Sequence, residues 1–155
     1  KYRSTGSNFF YMQQQRYKQN IEYANKLADF LKNQDWQRFC TFTTKYELTL
    51  KSSRRLMHRF HDRIKSRVFD GAPVKLFWVA EKFEAKDGFH VHGLLNYPGE
   101  AEKCFDILPV ITESYRIVAA QSDARVSFNK YNKSKAGAKY CAKYLLKRYA
   151  DYDFL

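Results

Sequence analysis

Residues Val74–Asn96 read VKLFWVAEKFEAKDGFHVHGLLN, and this stretch decides the fold. Val74–Phe83 and Phe89–Asn96 are strand-length runs of β-branched, aromatic and aliphatic residues. Between them Ala85-Lys86-Asp87-Gly88 carries the Asp-Gly pair that favours a tight reversal, so a β-hairpin is expected. Successive side chains of a strand alternate faces, which puts His90 and His92 on one side of the second strand. Two imidazoles so placed are either a pair of nitrogen ligands for a metal ion or two half-buried, hydrogen-bonded side chains.

Outward from the hairpin the chain alternates helices and strands. Asn8 to about Asn33 has Phe9, Tyr17, Ile21, Ala24, Leu27, Ala28 and Leu31 at helical spacing. Trp36–Thr44 (WQRFCTFTT) is rich in β-branched and aromatic residues and is expected to be a strand. Ser52 or Ser53 is a candidate cap for a helix with an apolar stripe of Leu56, Phe60, Ile64 and Val68, broken by Asp70-Gly71-Ala72-Pro73. After the hairpin, Pro98-Gly99 ends the strand and Glu100 to about Ala120 is expected to be a helix, with Pro109 marking a break or kink. Ala124–Tyr131 alternates as a fourth strand, and Ser134 to about Tyr149 is a last helix. The order α-β-α-β-β-α-β-α contains the β-α-β-β-α-β of a ferredoxin-like sheet. The expected fold is therefore α+β: a ferredoxin-like (RRM-like) antiparallel sheet flanked by helices, with an extra N-terminal helix and a C-terminal tyrosine-bearing helix. No internal repeat, low-complexity tract or interdomain linker interrupts it, so residues 1–155 read as one domain. Within it, 1–34 is a helical extension and 36–150 the core.

The chain of 155 residues is large enough to bury a core without disulfides or structural metal. Lys+Arg 28 against Asp+Glu 16 leaves a formal charge of +12, and 12 Tyr with 13 Phe raise the aromatic share to 17%. A basic surface favours a polyanion, and aromatic rings stack on unpaired bases, so the pair of features points to single-stranded nucleic acid. Cys40, Cys104 and Cys141 are odd in number and form no Cys-x-x-Cys pair. That argues against a disulfide framework or zinc ribbon and fits a reducing compartment. No run reaches the length of a membrane span and no secretory signal is visible. The absence of a Gly-x-x-x-x-Gly-Lys-Ser/Thr loop argues against nucleotide hydrolysis. The first residue is Lys1 rather than Met, as in a fragment or processed chain.

Two constellations carry chemistry. Glu81 lies late in the first hairpin strand, where antiparallel pairing brings its carboxylate to the face of His90 and His92. Two imidazoles and one carboxylate leave open positions on a divalent ion, as an ion that must also hold substrate requires. Glu84 competes for the role. Alternation puts it on the opposite face, nearer the turn and solvent, so Glu81 is preferred. In the last helix, Tyr140, Lys143, Tyr144 and Lys147 share a face, with Ala138, Ala142, Leu145 and Tyr149 on another. A phenol is a weak nucleophile at its ordinary pKa near ~10 and needs a metal-polarised phosphate or a nearby ammonium to attack. The plain alternative is an amphipathic helix whose Tyr/Lys face only packs and snorkels. His58 and His61 share a helical face without an evident third ligand and read as polar helix surface. Arg54, Arg55, Lys139, Lys147 and Arg148 are candidate DNA contacts.

Taken together in this chain order, the motifs resemble the HUH endonucleases of rolling-circle replication initiators. The resemblance runs from Phe39-Cys40-Thr41-Phe42-Thr43-Thr44 through Gly88-Phe89-His90-Val91-His92-Gly93-Leu94-Leu95 to Tyr140-Cys141-Ala142-Lys143-Tyr144-Leu145-Leu146. It looks most like the Rep proteins of small single-stranded DNA phages, plasmids and parvoviruses. It implies a divalent ion (Mg²⁺ or Mn²⁺) on His90, His92 and Glu81, Tyr140 as the nucleophile and Lys143 as its assistant. Tyr144 is then either a second nucleophile or a packing aromatic. The implied activity is nicking and joining of single-stranded DNA through a 5′-phosphotyrosine intermediate, initiating rolling-circle replication.

The implied partner is single-stranded DNA or a DNA hairpin at a replication origin. The isolated domain is expected to be monomeric, away from membranes, and to work with a host or fused helicase. Its expected place is intracellular: the cytoplasm of a bacterial host, or the nucleus for a eukaryotic virus. Conjugative relaxases share the histidines but carry their tyrosine near the N-terminus, which disfavours them. Two alternatives remain, a single-tyrosine insertion-sequence transposase and a non-catalytic RRM-like module that binds single strands without metal or covalent product. The long Gln-, Tyr- and Lys-rich N-terminal helix departs from the family pattern.

Overall fold

A computed structural model describes residues 5–99, 106–135, 137–143 and 150–155; of residues 5–12, 135 and 142 it describes the backbone alone. The elements are α1 (Thr5–Lys32), β1 (Arg38–Thr43), α2 (Leu50–Arg63), β2 (Lys75–Lys82), β3 (Phe89–Asn96), α3 (Ile107–Ala119), β4 (Arg125–Lys130), α4 (Gly137–Lys143) and β5 (Asp151–Phe154). The sheet order is β4-β1-β3-β2-β5 and every pairing is antiparallel. Its first four strands have the ferredoxin-like arrangement expected from the element order, within an α+β architecture.

Register decides which residues share a face. Glu81 pairs with His90 and Val79 with His92, while Thr41 pairs with His92 from the other side. Directly paired residues project to the same face, so Thr41, His90, His92, Val79 and Glu81 lie together. Farther along this face, Phe77, Val79 and Leu94 pack with Leu31 and Trp36 and with Ala138 and Cys141 of α4. The last turns of α1 therefore belong to the core, and α1 lies alongside α4. The opposite face carries the larger core under α2 and α3, where Phe42, Phe60 and Tyr115 meet at ring separations of 5.2, 5.2 and 5.7 Å.

Several local expectations are corrected. The cap of α2 is Thr49, not Ser52 or Ser53. Thr49 Oγ1 accepts from Ser52 N at 3.0 Å and Ser52 Oγ accepts from Thr49 N at 2.8 Å, closing a capping box. Helix α2 then runs into a π-helical turn, Ile64–Val68, before Asp70 and Gly71 reverse the chain with φ of 49° and 80°. Pro109 does not kink α3. It is the third residue of a helix capped by Asp106, where the backbone N–H has no intrahelical acceptor to lose. Residues 100–105, the start of the expected helix, lie outside the described residues.

The hairpin closes over a longer loop than a two-residue turn, with Phe83 N donating to Gly88 O at 3.1 Å and Gly88 at φ +91°. Strand β5 was not expected. It extends the sheet beyond β2, pairing Tyr152 with Val79 and Phe154 with Phe77.

Candidate active site

The cluster begins with β3, a central strand bonded on both sides, which fixes where its imidazoles point. His90 Nε2 lies 2.9 Å and His92 Nε2 3.1 Å from the same oxygen, Oε2 of Glu81. One ligand atom from each of the three lies within 4.8 Å of the others. Glu81 and His92 are buried, 7% and 6% exposed, and His90 is nearly so. Glu84 is exposed in the loop beyond β2 and takes no part in the cluster. One carboxylate oxygen and two imidazole nitrogens converging from paired strands suit a divalent cation that keeps open positions. The residues present fit such an ion.

Aromatic rings wall the cluster. Phe83 lies 4.6 Å from the His90 ring, and Phe39 stacks on His92 at 5.9 Å. Burial, helped by neighbouring His90, lowers the His92 pKa to about 4 against the opposing pull of Glu81. His92 is therefore neutral at pH 7, and its short contact with Glu81 is a hydrogen bond, not an ion pair. A neutral imidazole is also the form that ligates metal. Thr41 Oγ1 lies 3.1 Å from His92 Nδ1. If Nε2 faces a cation, Nδ1 carries the proton and donates it to Thr41, the outer contact that fixes a metal-binding imidazole.

Helix α4 brings Tyr140 to this place. Ala138 and Cys141 are buried against the sheet, which turns Tyr140 over β1 and β3. Its ring lies 5.4 Å from that of His92 and 5.9 Å from that of Phe39, and it remains 42% exposed. Lys143 and Lys139 are exposed on the same short helix, whereas Tyr144, Lys147 and Arg148 lie outside the described residues. Cys141 is buried and its thiol pKa is pushed up to about 12; burial likewise raises Cys40, so both are protonated.

The remaining candidates sit elsewhere. Arg54 is on α2, against the opposite face of the sheet. Its guanidinium bonds Asp151 at 2.6 and 2.9 Å, Asp153 at 2.7 Å and Tyr152 O at 3.0 Å, and lies 5.4 Å over the Trp78 ring. It ties β5 to α2. Arg55 is exposed on the same helix. His58 and His61 are not one polar surface: His58 Nε2 meets Asp153 Oδ2 at 3.0 Å, whereas His61 is buried with Nε2 2.9 Å from Val74 O. Thr41 and Phe83 were missed as site residues. Period-2 alternation from Phe39 would have placed Thr41 on the histidine face, but nothing in the sequence marks Phe83.

Fold and site together define a class: an antiparallel α+β sheet with a His-x-His strand, a carboxylate on its neighbour and a tyrosine-bearing helix above them. The chain belongs to the ORF2-type family of replication-associated proteins, whose pattern it matches over residues 37–149. Residues 1–36, including α1, lie outside that match. Neither a curated protein nor a solved structure matches the chain significantly. No helix among the described residues is long and apolar enough to cross a membrane.

Proposed function

We propose that this chain is an HUH-type endonuclease and strand-transferase domain that nicks and rejoins single-stranded DNA at a replication origin, initiating rolling-circle replication. The observation that carries the reading is the Tyr140 ring at 5.4 Å from His92, beside the Glu81–His90–His92 cluster. Membership of a replication-associated family supports the same conclusion. The proposal treats residues 1–155 as one domain, acting as a monomer inside the cell with a host or fused helicase to open the duplex.

His90, His92 and Glu81 would hold Mg²⁺ or Mn²⁺. Bound there, the ion supplies Lewis-acid polarisation of a phosphate oxygen. The Tyr140 oxygen attacks the scissile phosphorus, the P–O3′ bond breaks, and the 3′-oxygen leaves as a hydroxyl carrying the proton the phenol gives up. Lys143, one turn from Tyr140, offsets negative charge as it develops. The product is a tyrosine–5′-phosphate ester. One phosphate diester has replaced another, so the free 3′-hydroxyl can reverse the step without a nucleotide cofactor. Lys139 and Arg55 offer charge to the DNA backbone, Lys147 and Arg148 extend that set, and Tyr144 is the candidate second nucleophile.

The test is incubation with end-labelled single-stranded oligonucleotides and Mn²⁺ or Mg²⁺, followed by a denaturing gel. A protein–DNA adduct is expected that disappears with excess chelator and in Tyr140→Phe, which still binds DNA. An adduct that persists in Tyr140→Phe moves the nucleophile elsewhere. Binding without any adduct leaves the non-catalytic single-strand module.

A further inference from the structure

Beside Tyr140 lies a recess of about 390 Å³ that neither the cation ligands nor the attack itself requires. Phe39, Tyr131 and Tyr140 form its walls, with the edge of His92 at one side and Asn129 and Asn132 at another. Resting on the endonuclease reading, we propose that this recess holds one unpaired nucleobase of the substrate strand, next to the phosphate that Tyr140 attacks.

Four observations converge on that occupant. The aromatic walls present π-faces, on which any base can stack. The volume lies at the low end of small-molecule sites, about 300–1,000 Å³, so it suits a single base and not a base pair. The two amides supply an edge for hydrogen bonding. Asn132 Oδ1 already accepts from Ser134 N at 2.9 Å and Ser134 Oγ at 2.7 Å, which directs its NH₂ group outward as a donor. Asn129, opposite Phe39 in the β1–β4 register, supplies both a donor and an acceptor.

The fourth observation is charge. Tyr131 also borders a second cleft of about 480 Å³ between α1 and α4, lined by Lys32, Lys133 and Lys139 together with Asp29. A strand whose base enters the recess can lay a neighbouring phosphate among those lysines. Gly137 stands where the two clefts meet the helix. A Cβ there would come within 3.3 Å of Tyr131 Cε2 and 3.5 Å of Phe39 Cδ2, so the missing side chain leaves the stacking walls open. Seating the base fixes the adjacent phosphate over the cluster, the positioning that an in-line attack needs. The extra helix α1 then has a role as one bank of the strand's path.

The experiment measures binding by fluorescence anisotropy in Mn²⁺, using the full chain carrying Tyr140→Phe, which keeps the ring and blocks reaction. The probes are dT12, dA12 and a 12-mer of tetrahydrofuran abasic units with the same backbone charge. The base-bearing strands are expected to bind on the order of 10-fold more tightly than the abasic one. Tyr131→Ala should remove most of that advantage while leaving abasic binding unchanged, and Tyr131→Phe should restore it. Lys139→Ala should weaken all three strands alike. Because Tyr131 packs partly into the core, a second measurement uses the wild-type chain and a dT12 carrying 5-iodouracil. Photocrosslinks are expected on Tyr131 or Phe39.

Equal losses on base-bearing and abasic strands in Tyr131→Ala, or crosslinks confined to residues outside the recess, overturn the proposal. Neither readout needs cleavage. An adduct with a failed recess test sinks the base site alone, and a passed recess test without an adduct sinks the nuclease reading alone.

Discussion

Replacing Thr41 by Val removes one hydroxyl from the site and keeps the side chain's shape. Thr41 pairs with His92 in register and its Oγ1 lies 3.1 Å from Nδ1 of that imidazole. The His92 side chain is only 8% exposed, so water cannot replace the lost partner. Without a cation, the ring can keep its proton on Nε2, donate to Glu81 Oε2 at 3.1 Å and leave a bare lone pair toward the introduced methyl. With a cation on Nε2 the proton must sit on Nδ1, and a buried N–H would face a methyl group. Leaving a buried donor unpaired costs about 1–3 kcal/mol, and the bound state bears more of that cost than the free one.

The expected result is a loss of Mn²⁺ affinity of about 10–100-fold, the range seen when outer-shell partners of ligating histidines are removed. Isothermal titration of Mn²⁺ at pH 7 measures it, with circular dichroism to confirm the fold. Thr43→Val is the control: its hydroxyl reaches only Arg125 O at 3.4 Å in an exposed setting. Mn²⁺ affinity within twofold of wild type in Thr41→Val, or equal losses in both variants, would refute the reasoning.

Gly93→Ala should destabilise the chain by about 1–3 kcal/mol, because its Cβ would lie 3.1 Å from Phe77 O and 3.2 Å from Phe42 Cε2 in a packed core; urea denaturation measures it, and an unchanged midpoint counts against the packing described. Asp153 is pushed up by burial, but hydrogen bonds from Phe154 N, His58 and Arg54 outweigh this and hold its pKa below the ordinary 3.8. Its contribution is therefore present above pH ~4 and lost as pH falls below its folded value, about 1 kcal/mol after solvent screening. Asp153→Asn should lower stability at pH 7 and flatten the fall between pH 4 and pH 2; parallel profiles for the two proteins would show that the contact contributes nothing. Tyr140→Phe should lose the DNA adduct while binding single strands within a fewfold of wild type, read by denaturing gel and anisotropy on the same oligonucleotides.

The hairpin and its face were legible because period-2 alternation is a local rule. Strand β3 runs from Phe89 to Asn96 as expected, and preferring Glu81 to Glu84 needed only the alternation of β2. What escaped depends on partners distant in sequence. In β5, Asp151-Tyr152-Asp153-Phe154 alternates acid and aromatic, and aspartates are poor strand formers. The strand holds because Arg54, nearly a hundred residues earlier, bonds both aspartates. His61 read as surface because its acceptor, Val74 O, lies beyond a chain reversal. Pro109 read as a break because its meaning turns on where the helix begins, and Asp106 sets that start.

The two halves of the site are held by different means. Glu81, His90 and His92 stand on the paired central strands β2 and β3, with Phe39, Phe83 and Thr41 against the rings. Their geometry follows from the sheet and tolerates change elsewhere. Tyr140 rides on α4, the seven residues Gly137–Lys143, and so short a helix has little stability of its own. Its position comes from Ala138 and Cys141 against Phe77, Val79 and Leu94, from α1 alongside, and from β5 resuming soon after it. β5 is in turn fastened to α2 on the far side of the sheet by Arg54. Enlarging Ala138 or Cys141 should therefore displace the phenol while leaving the ligand cluster intact, so that Mn²⁺ affinity and covalent adduct formation separate. In the proposed reaction the cation site is the rigid partner, and the placement of the nucleophile is the part most easily lost.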